Sequence, residues 1–233
     1  GHGERRMWKR TQQELELIRE CHWLRTELVP YIYSYVVTAS RGGRTLMLPI
    51  DGKYQYLFGD TLCVAPIYQD SLTREVTLPA GKWRYWYDDT KVLEGNTTFT
   101  RSYPMNEFPV YIKDGAIIPM NISRAYTGIG DETWAPYLTL NIYPSGRTNF
   151  IAYHTDKSGE FVVIVEEGTP MKITLDGLIK PHLLRILSAK QPVKVICNDV
   201  PMQEDAWEYH AEQQRLIIRN TAVSGCTYLI HYE

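Results

Sequence analysis

The sequence has no excess of charge of either sign, with 25 Lys and Arg against 27 Asp and Glu and a net charge of −2. Nucleic acids and anionic membranes bind clusters of basic side chains, so we expect neither partner. No apolar run approaches the ~20 residues that a membrane-spanning helix needs. The N-terminus is polar and lacks the apolar core of a signal peptide. The compartment in which the protein acts stays open.

The sequence also lacks the spacings of a metal site or a disulfide framework. Its four cysteines are far apart and form no CxxC pair, so we expect buried free thiols. The histidines after the N-terminus show no ligand spacing either, and we predict no metal and no cofactor. The residues concerned are Cys21, Cys63, Cys197 and Cys226, with His22, His154, His182, His210 and His231.

One strong helix is predicted near the start of the chain. Thr11 followed by Glu14 forms a capping-box pattern, in which each side chain accepts a hydrogen bond from the other residue's backbone. Pro30 is expected to kink or interrupt the helix near its last turns, and Gly42 and Gly43 to end it. Apolar residues recur at helical spacing on one face: Leu17, Ile18, Cys21, Leu24, Leu28, Ile32 and Tyr35.

The rest of the chain is predicted to be almost entirely β. Seven short strands between residues 45 and 113 alternate with Gly, Pro and Asp, and eight more follow between residues 137 and 232. A stretch after Pro119 has weak periodicity and is predicted to be a linker or excursion. The pattern indicates a mainly β protein with one N-terminal helix and two antiparallel β-sandwiches, although a barrel would give similar spacing.

Four sequence blocks, in this order, resemble glycoside hydrolase family 31, which contains α-glucosidases and α-xylosidases. The first is the helix segment HWLRTELVPYIYS at residues 22–34, and the second is QYLFGDTLCVAPI at residues 55–67. The third is LPAGKW at residues 78–83, and the fourth is FPVYIKDGAIIP at residues 108–119. The resemblance covers about residues 2–120, and later residues share only the order of elements and the β character.

The resemblance implies a domain organisation and an incomplete active site. Residues 1–44 would be the end of a catalytic (β/α)8 barrel with its final helix, 45–121 a proximal sandwich and 122–233 a distal one. The family hydrolyses α-glycosidic bonds with retention, through an Asp nucleophile and an Asp acid/base about 5–5.5 Å apart. Both aspartates would lie upstream of this chain, and no WxDMNE-like motif occurs in it. We therefore predict no catalytic residue here and an inactive isolated chain.

His2 is the one candidate substrate-binding residue. The family has a histidine before Gly or Asn, shortly ahead of the final helix, that hydrogen-bonds sugar hydroxyls. His2 and Gly3, followed by Trp8, match that block, and loops at the C-terminal end of a barrel carry such residues. The alternative is that Gly1 and His2 are remnants of an expression tag.

Other conspicuous residues are expected to be structural. Trp83, Tyr85 and Tyr87 alternate with polar and aromatic neighbours, and core packing or contact with the barrel is favoured over a sugar-binding surface. Neighbours on a strand point to opposite faces, so adjacent acidic pairs cannot act together on one bond and are expected in solvated turns and edges. These pairs are Asp88-Asp89, Asp131-Glu132 and Glu166-Glu167. Tyr31, Tyr33 and Tyr35 are expected to pack the helix against barrel strands and the proximal sheet.

Two function classes follow from these patterns. The first is the C-terminal part of a retaining α-glycosidase acting on terminal α-linked xylose or glucose, with the rest of the barrel and an α-linked oligosaccharide as partners. The second is an independent β-sandwich module that binds carbohydrate or a partner protein. A free module would leave the apolar helix face uncovered, which favours the first class. In an isolated chain we expect this face to pack on the proximal sandwich or on a second copy, giving a homo-oligomer.

Overall fold

The computed structural model describes residues 7–233, and it begins with a 3-10 turn at Met7–Lys9 that is followed by two α-helices. Helix α1 spans Gln12–Glu27 and α2 spans Val29–Ser40. The backbone N–H of Glu14 donates to Thr11 Oγ1, and that of Thr11 donates to Glu14 Oε2 at 2.8 Å, so the predicted capping box is present. None of the described helices is long and apolar enough to cross a membrane.

The prediction of a single helix is corrected to two helices separated at Leu28. Pro30 stands in the first turn of α2, where a missing backbone N–H costs little. In an uninterrupted helix Pro30 would clash with the carbonyl of Thr26, which explains why the chain breaks there. The last turn of α2 ends at Arg41, and Gly42 follows with a φ of +82°. The prediction that Gly42 and Gly43 end the helical segment is therefore confirmed.

Nineteen strands follow within the described residues. Most lie within two residues of a predicted strand, but β6, β9, β16 and β17 were not predicted. The first nine are β1 (Met47–Pro49), β2 (Tyr56–Phe58), β3 (Leu62–Val64), β4 (Thr73–Leu78), β5 (Lys82–Tyr85), β6 (Asp88–Glu94), β7 (Thr97–Ser102), β8 (Val110–Lys113) and β9 (Ile117–Met120). The others are β10 (Leu138–Ile142), β11 (Arg147–Tyr153), β12 (Glu160–Glu166), β13 (Met171–Asp176), β14 (His182–Leu187), β15 (Lys194–Cys197), β16 (Val200–Pro201), β17 (Trp207–His210), β18 (Arg215–Asn220) and β19 (Cys226–His231).

The strands before residue 114 form the proximal unit. A six-stranded sheet has the order β1-β2-β3-β8-β5-β6, and β4 pairs with β7 in a separate two-stranded sheet. Between them lies a core rich in aromatic side chains, in which Trp83 and Tyr85 are 1% and 2% exposed. Packing is therefore the role of these two aromatics, as predicted.

The later strands form the distal unit, in which two sheets face each other. One has the order β17-β18-β14-β10-β9, and the other β11-β12-β13-β19-β15-β16. Apolar residues of alternate positions, such as Val163 and Val165 on β12, meet between the sheets. The sheets are antiparallel with one exception, because β10 pairs with β14 in parallel. The prediction of purely antiparallel sandwiches is corrected to that extent.

Strand β9 joins the two units. It lies before residue 121, yet it pairs with β10 in the five-stranded distal sheet, with Ile118 opposite Asn141. Tyr143 N donates to Ala116 O at 2.9 Å and continues the same contact. The division of the chain at residues 44 and 121 stays a prediction. The hydrogen bonds assign β9 to the distal unit, although its residues precede the predicted boundary at residue 121.

A third core lies between the helices and both units. Tyr31, fully buried on α2, stacks on Phe150 of β11 with ring centres 5.8 Å apart. The same core includes Leu62 of β3 and Leu183 of β14, so residues from both units contribute to it. Helix α2 is therefore an integral part of the fold, covered on its apolar face by the two β units.

A buried ion pair also links the units. Arg215 on β18 is 1% exposed and its guanidinium contacts the carboxylate of Asp89 on β6. The Tyr143 hydroxyl donates to the same carboxylate at 2.6 Å. The expectation that Asp89 lies in a solvated turn is wrong, because its carboxylate forms part of the contact between the two units.

The segment after β9 is held against α1 by a buried carboxylate. Glu27, the last residue of α1, is fully buried, and its Oε2 accepts a hydrogen bond from Thr127 Oγ1 at 2.8 Å. Its other carboxylate oxygen has no hydrogen-bond partner. Asn121 N donates to the Glu27 carbonyl at 2.8 Å, and Trp23 stacks on Tyr126 nearby. The predicted excursion is thus fixed on the helix.

Burial raises the pKa of Glu27 from 4.5 to about 7, against the smaller lowering effect of the Thr127 hydrogen bond. Between pH 4.5 and about 7 the folded chain therefore keeps a proton that the unfolded chain has lost. The free energy of unfolding falls as pH rises through this window, by at most about 3 kcal/mol from this group.

Glu27→Gln is expected to remove this decrease in the free energy of unfolding with rising pH, and so to stabilise the chain at pH 8 relative to the wild type. Urea unfolding at pH 5 and pH 8 measures the effect, with Glu16→Gln on the exposed side of the same helix as control. Equal pH dependence in Glu27→Gln and the wild type would contradict the assignment of a protonated buried carboxyl.

Candidate functional site

An apolar groove of about 450 Å³ lies between the helices and the proximal unit. We call it the helix groove, because one wall is α1 with the start of α2 and the other is the outer face of the six-stranded proximal sheet. The helical wall carries Leu17, Cys21, Leu24, Leu28 and Ile32. The sheet wall and its loops carry Tyr56, Phe58, Leu62, Val64, Trp86, Tyr87, Met105, Phe108 and Val110, and Tyr126 and Thr127 lie at one end.

The helical wall is the apolar stripe that the sequence predicted. Leu28 is 8% exposed, whereas Leu17 and Leu24 are half-buried, so coverage of the stripe decreases toward the start of α1. Cys21 is exposed, which corrects the expectation that this thiol is buried. The other three cysteines are free and at least partly buried, as expected. The α1 half of the stripe therefore remains available for another apolar surface.

Two tyrosines of α2 fix the position of the groove walls. The Tyr31 hydroxyl donates to Phe58 O at 2.8 Å and lies 2.8 Å from Thr61 Oγ1. The Tyr35 hydroxyl contacts the Asp60 carboxylate and accepts from Asp60 N at 3.1 Å. The turn between β2 and β3 is thus attached to α2 by four polar contacts.

Gly59 makes this attachment possible. Its φ of +69° lies in the left-handed region, and a Cβ at this position would lie 1.9 Å from the Tyr31 hydroxyl oxygen. Only glycine lets the turn approach the two tyrosine rings so closely. The predicted contact of Tyr31 and Tyr35 with the proximal sheet is therefore present.

The groups in the helix groove suit binding better than catalysis. Partial desolvation raises the pKa of the Cys21 thiol, and a neutral thiol is a poor nucleophile. Burial also raises the pKa of Tyr56. The groove carboxylate of Glu107 accepts a hydrogen bond from the Tyr85 hydroxyl at 2.7 Å. Apart from the charged side chains of Glu20, Arg25 and Glu107, the lining is mainly apolar, and such a groove can bind an apolar surface.

The predicted substrate-binding residue, His2, lies outside the described residues. Among the later histidines, His182 Nε2 lies 2.6 Å from the Tyr228 hydroxyl, and burial lowers the pKa of His182. His154 packs on Phe161 in the distal unit. Within residues 7–233, no group of three or more His, Cys, Asp or Glu side chains is arranged to hold a metal ion.

Three residues that the structure makes prominent were not identified from the sequence. Arg215 and Asp89 come together from positions 126 residues apart, and nothing local in the sequence indicates that pairing. The burial of Glu27 could have been predicted from its position in the helix. It lies three residues after Leu24 and four before Tyr31, and this spacing places it beside the apolar stripe. The other acidic pairs are solvated as expected, with Glu166 bound to Arg147 at 3.0 Å on the surface.

The chain is similar to curated carbohydrate-active enzymes over most of its length. An alpha-glucosidase from Saccharolobus solfataricus is 29% identical over 195 residues, covering 79% of this chain and 24% of the relative. An alpha-xylosidase from the same organism is 28% identical over 166 residues, covering 64% and 22%. An isomaltosyltransferase from Sporosarcina globispora is 32% identical over 143 residues, covering 54% and 13%. The chain thus spans a quarter or less of these relatives.

Solved structures share the fold. A family 31 dextranase from Flavobacterium johnsoniae, complexed with isomaltotriose, matches with a TM-score of 0.85 and 22% identity, over 100% of this chain and 34% of the dextranase. The cycloalternan-forming enzyme from Listeria monocytogenes, in complex with a pentasaccharide substrate, matches with a TM-score of 0.83 and 24% identity, over 95% of this chain and 24% of that enzyme.

A family model assigns the proximal part of the chain. Residues 42–118 match the model of the glycosyl hydrolase family 31 C-terminal domain. These residues include the second and third sequence blocks, the fourth block up to residue 118, the turn at Gly59 and the sheet wall of the helix groove. Residues 42–118 of this chain are therefore a glycosyl hydrolase family 31 C-terminal domain, as the resemblance of the sequence blocks predicted.

Proposed function

We propose that this chain is the non-catalytic C-terminal part of a retaining α-glycosidase that removes terminal α-linked xylose or glucose. Relatives named alpha-glucosidase and alpha-xylosidase support both substrates. The chain spans 24% and 22% of those relatives, so the proposal assigns the chemistry to a larger parent protein. The substrate of that parent is an α-linked oligosaccharide.

The helix groove is the observation that carries this proposal. Helix α2 is covered by both β units, but α1 presents half-buried Leu17 and Leu24 to an open groove. We infer that α1 and α2 are the end of the catalytic barrel and that the rest of the barrel covers this face. The two β units then support the barrel from outside.

The independent-module alternative explains this face less well. In a free β-sandwich module that binds carbohydrate, nothing would cover the leucines of the capped helix that line the open groove. Exposed apolar surfaces of this kind generally mark contacts with another polypeptide. In the parent protein that polypeptide is the barrel, and in an isolated chain it is a second copy. His2 stays a proposed sugar ligand of the parent.

The isolated chain is expected to hydrolyse neither an aryl α-glucoside nor an aryl α-xyloside above the uncatalysed rate. Retaining hydrolysis needs a nucleophile and an acid/base about 5–5.5 Å apart, and we place both upstream of this chain. Release of the aryl alcohol, followed by absorbance, measures the rate. Turnover that persists through purification and follows the protein concentration would overturn the proposal.

The isolated chain is also expected to self-associate through the helix groove. Leu17→Glu places a charge on the open half of the stripe and should shift the chain to monomer in analytical ultracentrifugation. Leu72→Glu is the matched control, because Leu72 is 50% exposed and lies outside the groove. A monomeric wild type at all concentrations, or equal association by the two variants, would contradict the expectation.

A further inference from the structure

A second, polar pocket of about 370 Å³ lies at the junction of the two β units. We call it the junction pocket. The start of β6 forms one side, the turn between β17 and β18 forms another, and residues 127–129 of the excursion close the end nearest the helix groove. Its volume falls in the ~300–1,000 Å³ range of small-molecule sites, which often occur where domains meet. Trp86, Tyr87 and Thr127 also line the helix groove, so the two cavities share an edge, but the polar side of the junction pocket has no part in the proposed function.

One side of the junction pocket is aromatic. Trp86 and Tyr87 are consecutive residues between β5 and β6, and both line the pocket. Trp86 is half-buried and packs on the third core, which holds its position, whereas Tyr87 is 42% exposed. Rigid, partly exposed rings provide flat apolar surfaces, onto which the C–H face of a sugar ring can pack at little entropic cost.

The opposite side offers hydrogen-bonding groups. Arg185 is held by its Nη1 donating to Asn141 Oδ1 at 2.9 Å. A guanidinium has five N–H donors, so this bond leaves others for a ligand. Glu212 and Gln213 are exposed in the facing turn and add carboxylate and amide groups. Donors and acceptors are therefore mixed, as recognition of several hydroxyl groups requires.

The charges of the lining select against other ligand classes. Asp88 and Asp89 are paired with Lys91 and Arg215, and the carboxylate of Glu212 balances the guanidinium of Arg185, so no excess positive charge is left for a phosphate or another anion. Asp88 is bound to Lys91 Nζ at 2.7 Å and Asp89 to Arg215, so neither carboxylate is free to coordinate a cation. An apolar ligand would leave these polar groups desolvated and unpaired. A neutral molecule with many hydroxyls fits best.

We propose that the junction pocket is a non-catalytic binding site for one neutral sugar residue of an oligosaccharide. The sugar ring packs on Trp86 and Tyr87, and its hydroxyls bind Arg185, Glu212 and Gln213. Such a site would hold a glycan on the parent enzyme away from the bond being hydrolysed. It is independent of the turnover prediction, because a chain that hydrolyses nothing can still bind a sugar here.

The test titrates the 233-residue chain with glucose, xylose and isomaltotriose, followed by ¹H–¹⁵N NMR. At least one sugar is expected to give saturable shifts in residues 86–90 and 211–214. Glu212→Ala combined with Gln213→Ala should weaken that binding about tenfold, since it removes two hydrogen-bonding groups. Glucuronate, the anionic probe, should bind more weakly than glucose because of the pocket's carboxylates.

The matched control combines Gln203→Ala with Glu204→Ala, the same two residue types on an exposed turn outside the pocket. It is expected to bind like the wild type, and unchanged spectra elsewhere show that each variant is folded. The proposal is overturned if none of the three neutral sugars binds saturably, if the shifts lie outside the pocket, or if the pocket and control variants bind equally.

Discussion

The attachment of α2 to the turn between β2 and β3 is the constraint on which the rest of the structure depends. Tyr31 and Tyr35 are buried phenols whose hydroxyls bind the backbone and side chains of residues 58–61. Burial raises the pKa of both phenols strongly, so they stay neutral donors in an apolar setting. Gly59 lets the turn come close enough to accept these bonds. The helix pair is thereby part of the β fold.

The other contacts between the units depend on that position. With α2 fixed on the proximal turn, Tyr31 stacks on Phe150 and Ser34 Oγ accepts from Tyr153 N at 3.1 Å in the distal unit. Asp89 and Arg215 close the far side of the junction. Breaking one partner of a buried ion pair leaves an uncompensated charge, so this pair favours one relative placement of the units. The junction pocket lies at this junction, and the helix groove adjoins the pocket through Trp86, Tyr87 and Thr127.

The sequence predicted local features well and the junction poorly. The capping box at Thr11, the interruption near Pro30 and the alternation of β12 depend on nearby residues and were confirmed. Strand β9 was missed because its residues are apolar throughout, without alternation. Asp89 resembled a turn residue because its partner Arg215 comes from another sheet, which no local pattern reveals. His2 lies outside the described residues and stays a prediction.

Native-state hydrogen exchange of the isolated chain tests most directly whether helices and sandwiches form one folded unit. Amides in the middle of α2, such as that of Tyr35, are expected to open with the same free energy as those of Cys63 on β3 and Ile112 on β8. Exchange of the α2 amides at a much lower free energy, with the strands still protected, would contradict the account. The helices would then be a separate appendage of the β fold.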